Sequence, residues 1–244
     1  MSCLIAHKMS YLNWDEKIII DFSEENIAAM YADGYVFTRI GKGVMQQTRS
    51  LRINLENFFP TSENRRILRK TEGISLESVT IPYKSYSFEI GKMAKDFYDN
   101  KFGVGTMSVQ KIKEMMTSPD KSNFNCVFRY SAKPSEDVSR LSAVGQRQSG
   151  DIFIRLGYAI CYASNSIIHY SYPFYDLDSA PKDMGLGMMI RAIQHAKGLD
   201  IKYVYLGSLQ RPSDVYKLQF ESMEWFDGKE WKNDLEEAKK ILKK

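Results

Sequence analysis

The chain has 244 residues, 43% of them hydrophobic and 13% aromatic, with a formal net charge of +4, which describes a globular protein able to bury a full core in one large domain, or in a domain with an appended half. No apolar run approaches the length of a membrane span, and Met1 to Ser10 lacks the long apolar centre of a signal peptide, so a cytoplasmic protein with no membrane partner is expected. Cys3, Cys126 and Cys161 stand singly, without Cys-x-x-Cys or a nearby His, which argues against both a disulfide framework and a zinc site; no metal is expected.

In chain order, Ile18 to Ile20 reads as a short strand, and Ser23-Glu-Glu-Asn opens a capped helix that ends near Asp33-Gly34. Tyr35 to Ile40 and Thr48 to Leu55 alternate as strands and are expected to pair across the turn Gly41-Lys-Gly43. After Pro60, Thr61-Ser-Glu-Asn caps a short basic helix that Thr71-Glu-Gly73 breaks. Arg39, Lys42, Arg49, Arg52, Arg65, Arg66, Arg69 and Lys70 meet only Glu56 and Glu63 in that span, a local +6 in a chain of +4. Such a segment is the footprint of a polyanionic partner, RNA or DNA first, or else a solvated charged face.

Met93 and Phe97 are spaced for a helix within Tyr86 to Phe102, and Val109, Ile112, Met115 and Met116 for a second one capped at Thr106 or Ser108; both stripes read as core. Asn125 to Tyr130 reads as a strand and Ser131 to Gly150 as a polar loop. Ile152, Ile154, Leu156, Tyr158 and Ile160 alternate as the next strand, and Ile167 to Tyr172 completes a hairpin through Asn165.

The stretch from Tyr172 to Phe220 organises the rest. Tyr-Pro-Phe-Tyr-Asp-Leu-Asp178 is followed by Met184-Gly185-Leu186-Gly187, which opens a helix that Gly198 stops. A buried strand, Tyr203 to Leu206, and a helix carrying Tyr216 and Lys217 come next. This strand, helix, strand, helix order is acyltransferase-like, and backbone N–H groups at the glycine-bearing helix start can hold a phosphate or a developing oxyanion. Two glycines before a helix also make a plain tight turn. Lys182-Asp-Met-Gly185-Leu-Gly187 is similar to the Arg/Gln-x-x-Gly-x-Gly/Ala pyrophosphate loop of GNAT-type N-acyltransferases. The C-terminal Asp234-Leu-Glu-Glu-Ala-Lys-Lys-Ile-Leu-Lys-Lys, acid first and base last, reads as a surface helix.

Two groups of motifs together resemble the aminoacyl-tRNA-protein transferases, the arginyl type and its bacterial leucyl relatives. In the first half they are Tyr31-Ala-Asp-Gly34-Tyr, Thr48-Arg-Ser-Leu-Arg52-Ile and Phe58-Phe-Pro-Thr-Ser62-Glu-Asn-Arg65-Arg66-Ile-Leu-Arg69-Lys. In the second they are Phe174-Tyr-Asp-Leu-Asp178, Met184-Gly185, Tyr203-Val-Tyr-Leu-Gly207 and the Tyr216-Lys217 helix. Val44-Met-Gln-Gln-Thr stands where that family carries cysteines linked to metal or cluster binding, Asn64 replaces its usual Gln, and Leu209-Gln-Arg-Pro-Ser213 is shorter than its counterpart. The resemblance implies transfer of an arginyl or leucyl group from tRNA to the α-amino group of proteins beginning with Asp or Glu, as in an N-degron pathway, with aminoacyl-tRNA as co-substrate and no other cofactor.

On that reading Tyr216 is the proton donor to the departing ribose oxygen, or a hydroxyl that positions it, with a core tyrosine as the alternative. Asp176 and Asp178 orient the incoming ammonium or a cationic aminoacyl group, or merely cap a turn. Gly185 supplies backbone donors. Arg65, Arg66 and Arg69 read the acceptor carboxylate or hold the tRNA backbone, and Arg52, Tyr175, Tyr205, Arg211 and Lys217 complete the substrate contacts. The expected fold is α/β (α+β), a GNAT-like core over residues 74–244 with a small basic N-terminal module over 1–73. A CoA-dependent GNAT N-acetyltransferase and a non-catalytic RNA-binding relative are the alternatives.

Overall fold

The computed structural model describes residues 12–132, 145–148 and 151–243. The elements in order are β1 (Asp15–Ile18), α1 (Glu24–Ala32), β2 (Tyr35–Phe37), β3 (Val44–Gln47), β4 (Ser50–Asn54), α2 (Ser62–Lys70), β5 (Ile74–Thr80), α3 (Phe88–Phe102) and α4 (Val109–Thr117). There follow β6 (Cys126–Ala132), β7 (Gly145–Gln148), β8 (Asp151–Ala163), β9 (Ile167–Tyr175), α5 (Met184–Gly198), β10 (Tyr203–Ser208), a 3-10 helix (Pro212–Gln219), β11 (Met223–Phe226), β12 (Trp231–Lys232) and α6 (Leu235–Leu242).

Local chemistry accounts for most of these boundaries. The Ser23 hydroxyl accepts the Asn26 N–H at the start of α1, and Thr61 and Asn64 close a reciprocal capping box on α2. The Asp234 carboxylate accepts two N–H groups at the start of α6. The Ile18–Ile20 strand lies earlier than expected, at Asp15–Ile18, and the expected helix around Tyr216 is a 3-10 helix. Part of the expected 131–150 loop falls outside the described residues; its described part is strand, the end of β6 and all of β7.

One pairing differs from the sequence reading. Tyr35–Phe37 pairs with Val44–Gln47, the two lying with β1 in a three-stranded sheet of order β1-β3-β2. The Thr48–Leu55 segment supplies β4, which leaves for the large sheet and lies antiparallel between β10 and β11. Gly41-Lys-Gly43 is too short a connection to reach past Val44–Gln47, whose own alternation makes a strand, so the nearer partner wins.

The large mixed sheet runs β12-β11-β4-β10-β9-β8-β6-β5, with β7 on β8. Its two faces bury separate cores, because successive side chains of a strand point to opposite sides. Ala159 and Cys161 of β8 join α2, α5 and α6 through Ile67, Met188, Ile193 and Ala238, while Tyr158 and Ile160 join α1, α3 and α4 through Tyr31, Phe97 and Ile112. Both β4 and α2, which precede residue 74, are thus built into the same sheet and helical layer as the strands that follow it.

Candidate functional site

A notch opens where the only parallel pair among the described strands comes apart. β9 and β10 are in register from Ile167 opposite Tyr203 to His169 opposite Tyr205. Beyond that point β9 continues along β8 as far as Tyr175 opposite Gly157, whereas β10 bends away to follow β4, its register shifting before Ser208 meets Ser50. Gly207 makes the bend with φ +75, a conformation that costs other L-residues energy, and a Cβ there would meet nothing within 4 Å. The parting strands leave one edge of β9 unpaired by β10, and the 3-10 helix lies beside it.

Lys217 is fixed at the base of this notch. Its ammonium donates to the Ser208 carbonyl at 2.9 Å and sits 3.4 Å from Asp214 Oδ1, with its side chain 13% exposed. It also lies close enough to His169 to disfavour that ring's charge; burial first and Lys217 second lower the His169 pKa to about 3. The neutral His169 Nδ1 faces the Tyr31 hydroxyl at 2.9 Å, a partner 138 residues away that no local pattern indicates.

Tyr216, 44% exposed, and Tyr175 stand near the mouth. Burial, with the neighbouring Tyr216 phenol adding to it, raises the Tyr175 pKa. Tyr175 packs edge-on against Phe97 of α3 at 4.8 Å, Phe97 meets Phe102 at 6.4 Å, and the Arg211 guanidinium lies over the Phe102 ring at 5.0 Å. Arg211 and Tyr216 belong to the same short segment, so these contacts close a rim. Phe97 was legible in the sequence as a core position; the part that Phe102 takes in this rim was not, because an aromatic at a helix end carries no period of its own.

The glycines at the start of α5 serve packing. Gly185 and Gly187 lie inside the helix, which begins at Met184. A Cβ on Gly187 would lie 2.7 Å from Thr71 Cγ2, so its absence lets α5 approach the C-cap of α2, where the Arg191 side chain also donates to the Thr71 carbonyl. A Cβ on Gly185 would lie 3.2 Å from Tyr175 Cε1. Asp183, at the N-cap, takes a left-handed φ of 68 and faces Lys70 at 3.1 Å and Arg66 at 3.9 Å. The basic helix α2 is thereby docked beside the N-terminus of α5.

The remaining expected site residues divide sharply. Arg65 and Arg69 are exposed on α2; Arg65 donates to the Pro60 carbonyl at 2.5 Å, and Arg66 pairs with Glu63. Asp176 turns its carboxylate inward to the loop, accepting the Asp178 N–H at 3.0 Å and the Ser179 hydroxyl, which is the turn-capping arrangement. Asp178 is exposed. Of the two remaining expected contacts, Tyr205 is buried and Arg52 is partly exposed with its guanidinium engaged by other residues of the chain. Arg52 bonds Glu224 at 2.6 Å between the rings of Trp231 at 3.9 Å and Tyr203 at 4.2 Å, and Tyr205 is 1% exposed with burial pushing its hydroxyl up to about 12.

Among the described residues no three His, Cys, Asp or Glu side chains gather where they could share a metal ion, and no helix is long and apolar enough to cross a membrane. No protein-family model matches the chain, and no curated protein sequence matches it. Solved structures similar to it include FemX, with TM-score 0.43 and 11% identity over 76% of this chain and 60% of that one. L-PGS from Bacillus licheniformis gives 0.40 and 16% over 75% and 49%. The GCN5-related glucosamine N-acetyltransferase region of a fungal multi-domain GH3 β-N-acetylglucosaminidase gives 0.43 and 10% over 86% and 22%. The chain therefore spans 60% of the length of the first and about half that of the second. The fold class is the expected one, α/β with a large mixed sheet, and β9, α5, β10 and the 3-10 helix follow one another in the expected order.

Proposed function

We propose that this protein is an aminoacyltransferase that takes its acyl group from aminoacyl-tRNA and delivers it to an α-amine, with proteins beginning in Asp or Glu as the acceptors. The observation that carries this reading is the docking of α2 beside the α5 N-terminus, Lys70 against Asp183 at 3.1 Å, two residues before Gly185, whose neighbour is the Tyr175 ring close to Tyr216. A polyanionic donor held on Arg65, Arg66, Arg69 and Lys70 has its reactive end led towards the notch.

The chemistry needed is modest. The ester at the 3′ end of a charged tRNA is already activated, and a terminal amine titrates at about 8, so a sizeable fraction is nucleophilic at neutral pH. The amine adds to the ester carbonyl and loses a proton, and the ribose oxygen leaves with one. Tyr216 is suited to donate towards that leaving oxygen, while binding both reactants in one place supplies much of the rate. One contact bears on the CoA alternative: Gly187 is packed on Thr71 rather than left in an open loop that could receive a pyrophosphate.

The test is incubation with tRNA charged with arginine, leucine or other amino acids and with peptides of varied first residue, read by mass spectrometry. Transfer from tRNA to the peptide α-amine is expected, and acetyl transfer from acetyl-CoA instead would move the protein to the alternative. RNA binding without any transfer would make it a non-catalytic relative. Within the active protein, Tyr216→Phe is expected to fold normally and to lower single-turnover transfer by roughly ten- to ten-thousandfold. Wild-type transfer rates in that variant would remove Tyr216 from the reaction.

A further inference from the structure

Just ahead of α2 the chain carries two adjacent phenylalanines with opposite fates. Phe58 is 1% exposed in the core to which α2 and α5 contribute, whereas Phe59 is 65% exposed. Pro60 accounts for the geometry, because the residue before a proline is held extended and successive side chains of an extended chain point opposite ways. It does not account for the residue type, since a polar side chain would serve equally well at a position held in solvent. The groups that flank Phe59 are cations. The Lys197 ammonium, from the last turn of α5, lies 4.6 Å from the ring centroid and donates to the Phe58 carbonyl. Arg65 donates to the Pro60 carbonyl, and Arg69 lies one turn further along the same face of α2.

Resting on the reading above that an RNA donor lies along α2, we propose that Phe59 is a stacking platform for an unpaired base, with Arg65, Arg69 and Lys197 holding the neighbouring phosphates, so that this surface takes single-stranded rather than duplex RNA. Three observations carry this. The carbonyls on either side of Phe59 are each bonded by a cation from a different helix, which fixes the backbone that presents the ring. Those cations keep their charge for a partner: Arg65 and Lys197 donate to neutral carbonyls, Glu63, the one carboxylate of α2, is paired with Arg66, and among the described residues no carboxylate pairs with Arg65, Arg69 or Lys197. An exposed ring among unpaired cations is, finally, the complement of a nucleotide, which offers a π-face beside an anionic phosphate.

The choice of single strand over duplex follows from the ring. In a double helix the bases are stacked on one another, so only phosphates, sugars and groove edges reach a protein surface, and an aromatic ring standing in solvent has no base face to cover. The placement also suits a strand laid along α2. The two helices run in opposite directions, with Lys197 near the end of α5 beside Phe59 and Asp183 at its start beside Lys70. Lys197 and Asp183 are thus about 20 Å apart along α5, and a strand anchored by one base on Phe59 passes Arg65 and Arg69 on its way to Lys70.

The experiment uses the full chain and a short, end-labelled, single-stranded oligoribonucleotide, with binding read by fluorescence polarisation and with the same strand in a duplex, and inorganic polyphosphate, as competitors. Phe59→Ala is expected to weaken single-strand binding by about 5- to 150-fold, the range of one base–aromatic stack, while polyphosphate binding and the salt slope stay as in the wild type. Phe59→Trp should bind the single strand at least as tightly as the wild type. Thermal melting checks that both variants fold. The proposal is overturned if Phe59→Ala leaves single-strand binding unchanged, if it weakens RNA and polyphosphate alike, if Phe59→Trp loses as much as Phe59→Ala, or if the duplex competes as well as the single strand. It is overturned too if the wild type binds no oligoribonucleotide, which would leave the surface to an acidic protein partner. Failure of transfer from every charged tRNA, with single-strand binding intact and dependent on Phe59, would sink the transferase reading and leave Phe59 as an RNA platform; transfer from tRNA with single-strand binding indifferent to Phe59 would do the reverse.

Discussion

Strand β4 and helix α2 come from one basic segment and put their cations to different use. In β4 the Arg52 side chain is only 11% exposed, bonded to Glu224 and held between Trp231 and Tyr203. In α2, Arg66 and Lys70 are paired with Glu63 and Asp183, Arg65 and Arg69 face solvent, and Asn64 and Ile67 are buried. A strand inserted between β10 and β11 has both faces covered, so a cation on it must bring its own counter-ion; a helix lying on the surface keeps its outward cations for a partner. Charge density along a sequence therefore counts potential ligands without saying which are still available.

That contrast can be broken experimentally. The largest effect on stability is expected from Arg52→Ala, which leaves Glu224 without its partner and empties the space between two rings. Because both groups keep some exposure, the cost should be about 2–4 kcal/mol, somewhat below that of a fully buried broken pair, read from urea midpoints. Its folded fraction should bind tRNA with the wild-type salt dependence. A changed salt slope with unchanged stability would mean that Arg52, too, serves the nucleic acid.

Gly187→Ala sharpens the other half of the comparison by disturbing the seat of α2 rather than its charges. The added methyl would meet Thr71 at 2.7 Å, and relieving that overlap should cost about 1–3 kcal/mol and shift α2 relative to α5. Gly185→Ala, whose nearest neighbour is the edge of the Tyr175 ring at 3.2 Å, should cost less. Equal melting temperatures for Gly187→Ala and the wild type would refute the close-packing role.

The smallest stability change belongs to the double variant Arg65→Ala with Arg69→Ala, within about 0.5 kcal/mol because both side chains lie at the surface. Its signature is instead in binding: the slope of log affinity against log salt should fall in magnitude by about 1.5–2, one phosphate contact per arginine. An unchanged slope would take α2 out of the RNA site and remove the observation on which the proposed function rests.

Much of the architecture was readable because it rests on short-range physics. Ser23, Thr61, Ser108 and Asp234 announce their helices through side-chain oxygens that reach the next turn, and the strand around Ile154 to Ile160 was legible from its alternation, although a register shift beside Leu156 puts Ile154 and Leu156 in one core and Tyr158 and Ile160 in the other. The order of strand, helix, strand and helix around Tyr216 was likewise legible from period alone, and with it the α/β class. Pairing was not. Whether Tyr35–Phe37 meets Val44–Gln47 or Thr48–Leu55 is a competition between two acceptable partners, and the pull of β10 and β11 on β4 comes from residues some 150–170 positions away.

The same division runs through the candidate site. By itself the sequence determined which chemical groups are present: a tyrosine and a lysine side by side, a loop with two aspartates, glycines at a helix start and a run of arginines. Only the tertiary structure decided that Asp176 caps its own turn, that Gly187 makes room for Thr71, that Arg52 is committed to Glu224, and that Arg211 meets Phe102. Residue type sets what a side chain can do. Which of those options it keeps depends on the neighbours that desolvate it and the counter-ions that answer it, and those neighbours are brought together by strand order and register, which no local pattern encodes.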